Sequence, residues 1–443
     1  MTLSENTEIS FLTSLGAVRE RCQAVMDRAE KDPQGGLYHF TYHPERMKEA
    51  ADVVCALIDR DYPSPQAVPA HSRWRHFDAQ GVKRIDKLLQ GWGSKVDDME
   101  KTRRLLDLFV VGVLLDAGAG DTWTYKEQGE SGNRIGRSEG LAIASLDMFK
   151  AGIFSSDPSG DPHRVDGDAL IALSVETLSK GMQVSEENPL VGLEGRNALL
   201  QRLGKALNSN QTFFGEGASG GGSDKVHRPG NLLDHLLASS SSKTLQVRDL
   251  WRVVMQGFGP IWPASRTKLN GQSLGDVWQY DTTLDPKAPS TSASLVPFHK
   301  LSQWLSYSLM EPVHQVLGVT WKGLDEMTGL PEYRNGGLFV DTGVLVLRES
   351  DLKRGQKDPG SAHGIPRFEV HDPVIIEWRA MTVSLLDLLA KDIRERYGET
   401  PDTLSLTAIL EGGTWKAGRV LAAKLRPESK GPPIAIVSDG TVF

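Results

Sequence analysis

The stretch LDEMTGLPEYRNGGLFVDTGVLVLR, residues 324–348, carries the most informative signals in the sequence. It places two carboxylates, Glu332 and Asp341, among several glycines in a short turn-rich passage between helical patterns. The Gly-Leu-Pro run just before Glu332 is a strong turn signal. The segment therefore predicts a tight hairpin between two helices. Polar turns carried by rigid neighbours are also where functional sites are often built.

Helical periodicity dominates the remainder of the chain. Strand signals are few: residues 339–347 alternate weakly, and residues 435–442 are rich in β-forming residues. The predicted fold class is therefore mostly α, with minor β elements. We predict helices at residues 11–29, 44–60, 78–89, 99–116, 137–150, 166–180, 193–207, 231–238, 247–255, 296–310 and 375–396.

Breaks in composition divide the chain only weakly. The Gly/Ser-rich run GEGASGGGS at residues 215–223 predicts a flexible loop. No segment has the composition of a linker between independent domains. We therefore predict one large helical domain over residues 1–443, with possible lobes at residues 1–210 and 230–443 joined by this loop.

Charge and composition limit the partners that the protein can have. A net charge of −7 argues against broad binding to nucleic acid, which needs a basic surface, but it leaves room for one small cationic pocket. The most apolar run is too short for a membrane span, and the first residues lack a secretory signal. Two isolated cysteines, Cys22 and Cys55, suit a reducing compartment. We therefore expect a cytoplasmic protein with neither a nucleic-acid nor a membrane partner, and its oligomeric state stays open.

Neither a metal site nor a cofactor is predicted. The histidine pairs His39 with His43 and His71 with His76 lack neighbouring cysteines or carboxylates that would complete a zinc site. The sequence also contains no Walker loop, dinucleotide fingerprint, Gly-x-Ser-x-Gly elbow or metalloprotease helix.

Two interpretations of the carboxylates in the hairpin stay open. In the structural interpretation, Glu332 pairs with Arg334 at the surface and Asp341 caps a turn. In the functional interpretation, one of these carboxylates faces a pocket, where it stabilises cationic charge or activates water.

Candidate cations lie upstream and downstream of the hairpin. His299 and Lys300 open a predicted helix, whose N-terminus favours anions, and a lysine there adds a charge for a phosphate; a solvated lysine is the alternative. Glu377 and Arg379 stand near the start of a long apolar helix and point in different directions because they are two residues apart. Either side chain could reach inward, or the two could tie this helix to the hairpin.

A further candidate segment links two predicted helices. Trp123 and Tyr125 could hold a ligand between their rings, although Trp123 is equally well explained as a core residue. Arg137, in the RIGRSE run at residues 134–139, could grip a phosphate.

Several of these segments together resemble a known family. The marks are HSRWRHF at residues 71–77, RIGRSEGLA at 134–142, NPLVGLEGR at 188–196, LPEYRNGGLFVD at 330–341 and EWRA at 377–380. On them the chain resembles, over its full length, the DUF1688 family, which contains the fourth protein of a uracil-catabolic pathway of fungi and bacteria.

A more distant resemblance concerns the queuosine nucleotide N-glycosidases (DUF2419). The run from His299 to Gln303, the Glu332-Tyr-Arg motif and the Glu377-Trp-Arg motif are similar to segments that occur there in the same order. The resemblance implies a helical fold like that of helix-hairpin-helix DNA glycosylases. It also implies active-site roles for Glu332 and Lys300. Glutamate replaces the aspartate of that family, so Asp341 is kept as a second candidate.

The resemblance implies hydrolysis of an N-glycosidic bond in a small nucleotide-like substrate, for which pathway logic suggests a ribosylurea 5-phosphate. Glu332, assisted by Asp341, would stabilise the oxocarbenium charge and orient water. Glu139 would protonate the leaving urea nitrogen or hydrogen-bond to it. Two alternatives stay open: a noncatalytic nucleotide-binding protein of the same pathway, and a hydrolase of the ureido C–N bond. The expected substrate-binding and phosphate-binding residues are Lys300, Arg334, Arg379, Arg137, His299 and Glu377, with Trp123 and Tyr125 stacking on the base-derived group.

Overall fold

Helices dominate the computed structural model, which describes residues 3–116, 118–120, 122–127, 134–215, 226–238, 240, 243–280 and 291–437. The mostly α fold class is confirmed, and the likeness to helix-hairpin-helix glycosylases stays a prediction. The helices in these ranges are α1 (Leu3–Leu12), α2 (Leu15–Lys31), α3 (Met47–Asp61), α4 (Arg73–Phe77), α5 (Arg84–Trp92), α6 (Asp98–Leu114), α7 (Arg137–Lys150), α8 (Gly167–Ala172), α9 (Val175–Gly181), α10 (Leu193–Ser209), α11 (Gln211–Phe214), α12 (Leu232–Ala238), α13 (Val247–Gly257), α14 (Lys300–Leu317), α15 (Tyr333–Asp341), α16 (Glu349–Gln356), α17 (Pro373–Tyr397), α18 (Leu406–Ile409) and α19 (Trp415–Leu425).

The β elements are short strands that pair two by two, so the described residues form no larger sheet. The antiparallel pairs are β1 (Phe40–Tyr42) with β10 (Leu345–Leu347), β2 (Thr124–Lys126) with β3 (Arg134–Gly136), β5 (Lys268–Leu269) with β6 (Gln272–Ser273), and β7 (Val277–Gln279) with β8 (Leu295–Pro297). The parallel pairs are β4 (Thr244–Gln246) with β9 (Thr320–Lys322) and β11 (Arg367–Glu369) with β12 (Ala435–Val437).

Most of the predicted helices are present, and local caps explain where the boundaries differ. The helix predicted at 11–29 is divided because the Ser14 side chain accepts a hydrogen bond from the Ala17 N–H and starts α2 anew. Ser174 starts α9 in the same way and divides the helix predicted at 166–180. In the segment predicted as a helix at 296–310, β8 comes first, and α14 begins only at Lys300.

The predicted hairpin at 324–348 is only partly correct, because α15 occupies its centre. Two adjacent glycines, Gly336 and Gly337, lower the helix propensity of this segment, which is why its helix was not predicted. Tertiary packing requires the first of them: a Cβ on Gly336 would lie 2.8 Å from the Trp378 ring. The weak strand signal at 339–347 is confirmed only for Leu345–Leu347.

The chain divides into two compact units. Where the structure describes them, unit 1 is built from residues 3–71, 265–300 and 325–437, and unit 2 from residues 72–264 and 301–324. The single domain with lobes at 1–210 and 230–443 stays a prediction. Apart from Gly215, the loop predicted at 215–223 lies outside the described residues.

Each unit has a long, largely buried helix. In unit 1 this is α17, which packs against α2 and α15. In unit 2 it is α6, whose residues from Leu105 to Leu114 are all buried. Among the described residues, no helix combines the length and the apolar character that a membrane crossing needs.

Close backbone contact joins α15 to α19 in unit 1. A Cβ on Gly418 would lie 2.0 Å from the carbonyl oxygen of Arg334, so the two helices have no room for a side chain there. We expect Gly418→Ala to lower the free energy of unfolding by about 1–3 kcal/mol, because the helices must separate. Urea unfolding would measure the change.

Gly91 provides the matched control for this substitution. It lies in α5, and a Cβ there would meet no atom within 4 Å. Because alanine is a better helix former than glycine, we expect Gly91→Ala to leave stability unchanged or raise it by up to about 1 kcal/mol. Equal unfolding free energies for the two variants would contradict the close contact.

Candidate functional site

Glu332 is buried and caps the N-terminus of α15. One carboxylate oxygen accepts a hydrogen bond from the backbone N–H of Arg334 over 2.7 Å, and the other accepts one from the N–H of Asn335 over 2.5 Å. These are donors that the first turn of a helix leaves without an intrahelical partner. The carboxylate is therefore fixed in place, and it does not pair with Arg334 at the surface.

A second layer of contacts fixes this cap. The Asn335 side chain donates to the Leu330 carbonyl over 3.0 Å and accepts from the Thr414 hydroxyl over 2.8 Å. The Trp378 indole donates to the Gly336 carbonyl over 3.1 Å. Thr414 ends a π-helical turn, Leu410–Thr414, and such turns are frequent at functional sites. The geometry of Glu332 is thus set by α15, α17 and this turn together.

The electrostatic setting of Glu332 suits a group that responds to developing positive charge. Burial raises the pKa of Glu332 above its ordinary value, although the two backbone hydrogen bonds and the charges of Lys300 and Arg334 act in the opposite direction. A carboxylate with little hydration interacts strongly with a nearby cation, because the local dielectric constant is low. Such a group can stabilise a cationic transition state or take a proton from water.

Asp341 has a different setting. Its two oxygens accept hydrogen bonds from Arg426 over 2.8 Å and 2.6 Å, in a bidentate ion pair that is largely shielded from solvent. Both oxygens are thus engaged at the last turn of α15. This pairing explains how Asp341 is held in place, and the assisting catalytic role expected from the sequence stays a prediction.

Arg379 connects the Glu332 turn with the start of α14. Its Nε donates to the Pro331 carbonyl over 3.1 Å, and both terminal nitrogens lie 2.8 Å from the carboxylate oxygens of Asp276. Asp276 also accepts from the backbone N–H of Lys300 over 2.9 Å. Arg379 and Asp276 are both buried. The arginine therefore positions the site, and this pairing leaves it poorly suited to bind a phosphate.

The carboxylate of Asp276 already occupies one anion-binding position at the N-terminus of α14. Lys300, the first residue of that helix, has a half-buried side chain whose charge favours the ionised form of Glu332. His299 lies just before it with a φ of 47°, is buried, and has its Nε2 2.8 Å from the Leu12 carbonyl oxygen. Lys300 remains the candidate for a phosphate, whereas His299 packs in the interior.

Glu377 orders the chain near β1. Its carboxylate accepts hydrogen bonds from the backbone N–H groups of Tyr38, His39 and Phe40 over 2.8–3.1 Å, and from the hydroxyl of Tyr280. The side chain is fully buried. Glu377 therefore holds the backbone of residues 38–40 in place, a role that sequence reasoning did not predict.

Arg334 is buried beside the cap of α15. Its guanidinium lies over the Tyr333 ring at 4.9 Å, and Nη1 donates to the Lys430 carbonyl over 3.2 Å. Glu332, Lys300, Arg334 and Arg379 thus belong to one connected group in unit 1.

The aromatic candidates lie in unit 2 and are core residues. Trp123 is 1% exposed and donates through its indole to the Met182 carbonyl over 2.9 Å. Tyr125 is 2% exposed, and its hydroxyl donates to Asp147 over 3.0 Å. Neither ring offers the open face that stacking on a substrate requires.

Arg137 and Glu139 open α7 in unit 2, and both are half-buried. Arg137 has a φ of 57°, in the left-handed region. The negative charge of Glu139 acts on the guanidinium of Arg73, a fully buried residue that also lies 2.9 Å from Asp116. Glu139 therefore belongs to a charged cluster with Arg73 and Asp116. Arg73 lies in HSRWRHF, residues 71–77, one of the segments that carry the family resemblance.

Sequence reasoning missed a histidine–carboxylate pair in unit 1, formed by His71 and Glu411. The Nδ1 atom of His71 lies 2.5 Å from a carboxylate oxygen of Glu411, on the same π-helical turn that carries Thr414. His71 is buried and also contacts the ring of Trp415. The HSRWRHF motif was the available signal, but His71 was considered only as a metal ligand. Within the described residues, no group of three histidine, cysteine or acidic side chains could hold a metal ion.

Comparison with known proteins confirms the family resemblance. Residues 11–443 match the family described as "Protein of unknown function (DUF1688)". "Uracil catabolism protein 4" of Lachancea kluyveri is 41% identical over 456 residues, which cover 100% of both chains. "Protein urg3" of Schizosaccharomyces pombe (strain 972 / ATCC 24843) is 42% identical over 439 residues, covering 98% of this chain and 99% of that protein. The chain belongs to the DUF1688 family.

Proposed function

We propose that the protein acts in uracil catabolism as an N-glycoside hydrolase that cleaves the ribosyl C1′–N bond of a small nucleotide-like substrate, with a ribosylurea 5-phosphate as the first candidate. The proposed pathway is supported by the 41% identity, over the full chain, to the uracil catabolism protein 4 of Lachancea kluyveri. The reaction class rests on one observation: the buried carboxylate of Glu332 is held rigidly within the influence of the charge on Lys300.

The bond to be broken explains the need for a fixed carboxylate. Cleavage of C1′–N develops oxocarbenium charge on the sugar, and an ionised, poorly hydrated carboxylate stabilises that charge. The same carboxylate can accept a proton from the water that attacks C1′. Because its oxygens are held by two backbone N–H groups, Glu332 needs little reorganisation during the reaction.

We assign the substrate phosphate to Lys300, with Arg334 as a second cation. Lys300 stands at the N-terminus of α14, and its charge already acts on Glu332. Arg379 is assigned a positioning role, because Asp276 and the Pro331 carbonyl engage its guanidinium.

The leaving nitrogen needs a proton, because a urea anion is a poor leaving group. Glu139 is the donor proposed from the sequence. We propose His71, whose Nδ1 lies 2.5 Å from a carboxylate oxygen of Glu411, as a second candidate. In this scheme, the C1′–N electron pair goes to nitrogen together with the donor's proton. Water supplies hydroxide to C1′ and its remaining proton to Glu332, and exchange with solvent then restores both groups.

Two substitutions separate these donors. We expect His71→Gln to lower turnover about 10²-fold if His71 is the acid, with the loss confined to substrates whose leaving group needs protonation. Glu139→Gln makes the same test for the other candidate. A substrate with an activated leaving group, such as a nitrophenyl riboside 5-phosphate, should recover most of the activity in the variant that lacks the true donor. Uniform loss on both substrates would indicate a structural effect.

Product analysis tests the proposed function directly. The purified protein would be incubated with ribosylurea 5-phosphate, and urea, ribose 5-phosphate and ammonia would be measured. Equal release of urea and ribose 5-phosphate is the expected result. Ammonia without sugar phosphate would place the cut in the ureido group, and binding without any product would identify a noncatalytic nucleotide-binding protein.

A further inference from the structure

A cavity of about 410 Å³ lies in unit 1, and none of its lining residues belongs to the proposed catalytic group. Its size is within the range of small-molecule sites. The residues that line it include Glu8, Phe11 and Leu12 of α1, Arg21 of α2, and Ser292 and Ala293 just before β8.

The wall formed by α1 is held to the body of unit 1. Leu12 is buried in an apolar cluster with Leu274, Val277 and Leu295. Its carbonyl oxygen also lies 2.8 Å from Nε2 of His299. The folded chain therefore sets the shape of the cavity before any ligand arrives, as is usual for small-molecule sites.

Glu8 and Arg21 bring opposite charges to this cavity, and both residues are partly exposed. Within the described part of the chain, neither side chain forms an ion pair. Their charged atoms therefore lie more than 4.0 Å apart. Such a gap suits a ligand that carries an ammonium and a carboxylate on one carbon, because it can bond to both side chains at once.

The Arg21 guanidinium is fixed by two contacts. Its Nη1 donates to the Ala293 carbonyl over 3.3 Å, and its central carbon lies 5.2 Å from the centre of the Phe11 ring. Nη2 donates to no described residue. A guanidinium has five N–H groups and prefers carboxylates as partners, so the remaining donors suit the carboxylate of a ligand.

Phe11 and Ala293 give the cavity an apolar portion beside these charges. Both residues are partly exposed, and Phe11 packs against the apolar cluster that holds α1. An aliphatic side chain that packs on them is removed from water, which favours its binding. The cavity thus combines one cation, one anion and an apolar portion.

We propose that this cavity binds an amino acid with an apolar side chain, with the carboxylate at Arg21, the ammonium at Glu8 and the side chain against Phe11 and Ala293. The proposal concerns binding alone and does not depend on hydrolysis at Glu332.

Isothermal titration of the full chain with L-leucine tests the proposal. Two analogues each lack one charge: 4-methylpentanoate has no ammonium, and 3-methylbutylamine has no carboxylate. We expect each analogue to bind about 10-fold or more weakly than leucine, because one charged hydrogen-bonding group is lost.

Two variants remove the charges from the protein side. Glu8→Gln and Arg21→Gln should each weaken leucine binding about 10-fold or more. Glu8→Gln should change the affinity for 4-methylpentanoate little, because that analogue has no ammonium to bind. Glu20→Gln, which removes an exposed carboxylate of α2 outside the cavity, is the matched control and should leave affinity unchanged. Circular dichroism would check the folding of each variant.

The Lys300→Ala variant separates this site from the proposed catalytic one. Leucine binding that persists in Lys300→Ala and Glu20→Gln but is weakened in both cavity variants supports the proposal. No binding at millimolar leucine, equal affinities for leucine and 4-methylpentanoate, or binding that Glu8→Gln and Arg21→Gln leave unchanged would each overturn it.

Discussion

Glu332→Gln is expected to lower turnover of a ribosylated substrate about 10²-fold or more, while substrate affinity changes little. The amide is nearly isosteric with the carboxylate but carries no negative charge, so it can neither stabilise oxocarbenium charge nor accept a proton from water. Ground-state contacts to the phosphate, assigned to Lys300 and Arg334, are unaffected. Single-turnover kinetics and equilibrium binding of the same substrate would measure the two quantities separately.

The same substitution weakens the cap of α15, so a control must isolate that effect. Glutamine can still accept one of the two backbone hydrogen bonds but presents an amide group to the other N–H, at a cost of about 1 kcal/mol. Asp97→Ala removes a helix cap elsewhere in the chain, an exposed one with a single hydrogen bond, since the Asp97 carboxylate accepts from the Glu100 N–H at the start of α6. Turnover should persist in Asp97→Ala. Unchanged turnover in folded Glu332→Gln would refute the assignment.

The pH profile offers an independent check on Glu332. The residue must be ionised to act, and burial raises its pKa. The acidic limb of kcat/KM should therefore lie above the ordinary range of a glutamate, and it should vanish from the residual activity of Glu332→Gln.

Local signals in the sequence were sufficient to predict most helices, because periodicity and capping act over a few residues. They failed for α15, where Gly336 is required by the Trp378 ring, a contact formed only in the folded chain. They also failed for α19, whose Gly418 packs on the Arg334 carbonyl. In both helices, glycines that lower helix propensity are explained by tertiary packing.

The candidate site was predictable to a similar extent. The carboxylate of Glu332 and the lysine at the start of α14 were found from motifs in the sequence. Asp276 was not found, because its partner Arg379 is 103 residues away and no local pattern links them. Glu377 likewise binds backbone groups more than 300 residues earlier in the chain. Long-range pairing therefore decides which of the candidate cations hold the framework, and a single sequence does not reveal it.

Arg379→Met is expected to lower the free energy of unfolding by about 3–5 kcal/mol at pH 7, because it leaves Asp276 as a buried charge without its partner. Both side chains are almost fully buried, and Asp276 also receives hydrogen bonds from the Trp278 indole and the Lys300 N–H. Urea unfolding would measure the loss. Asp276→Asn combined with Arg379→Met removes both charges and should recover part of it.

The pH dependence distinguishes a lost ion pair from simple loss of packing. Burial raises the pKa of Asp276, but the charge and hydrogen bonds of Arg379 lower it. Hydrogen bonds from the Trp278 indole and the Lys300 backbone N–H add to this effect, and the pKa lies below its ordinary value. The folded pKa then lies below the unfolded one, so the pair contributes stability that is complete above about pH 4 and is lost as pH falls through the folded pKa.

In Arg379→Met, the effect of burial prevails, and the pKa of Asp276 in the folded variant rises above its unfolded value. Acidification from pH 7 then favours the folded variant, and the stability gap to the native protein should narrow. A gap that stays constant between pH 7 and pH 4 would assign the whole effect to packing and contradict the electrostatic role of Arg379.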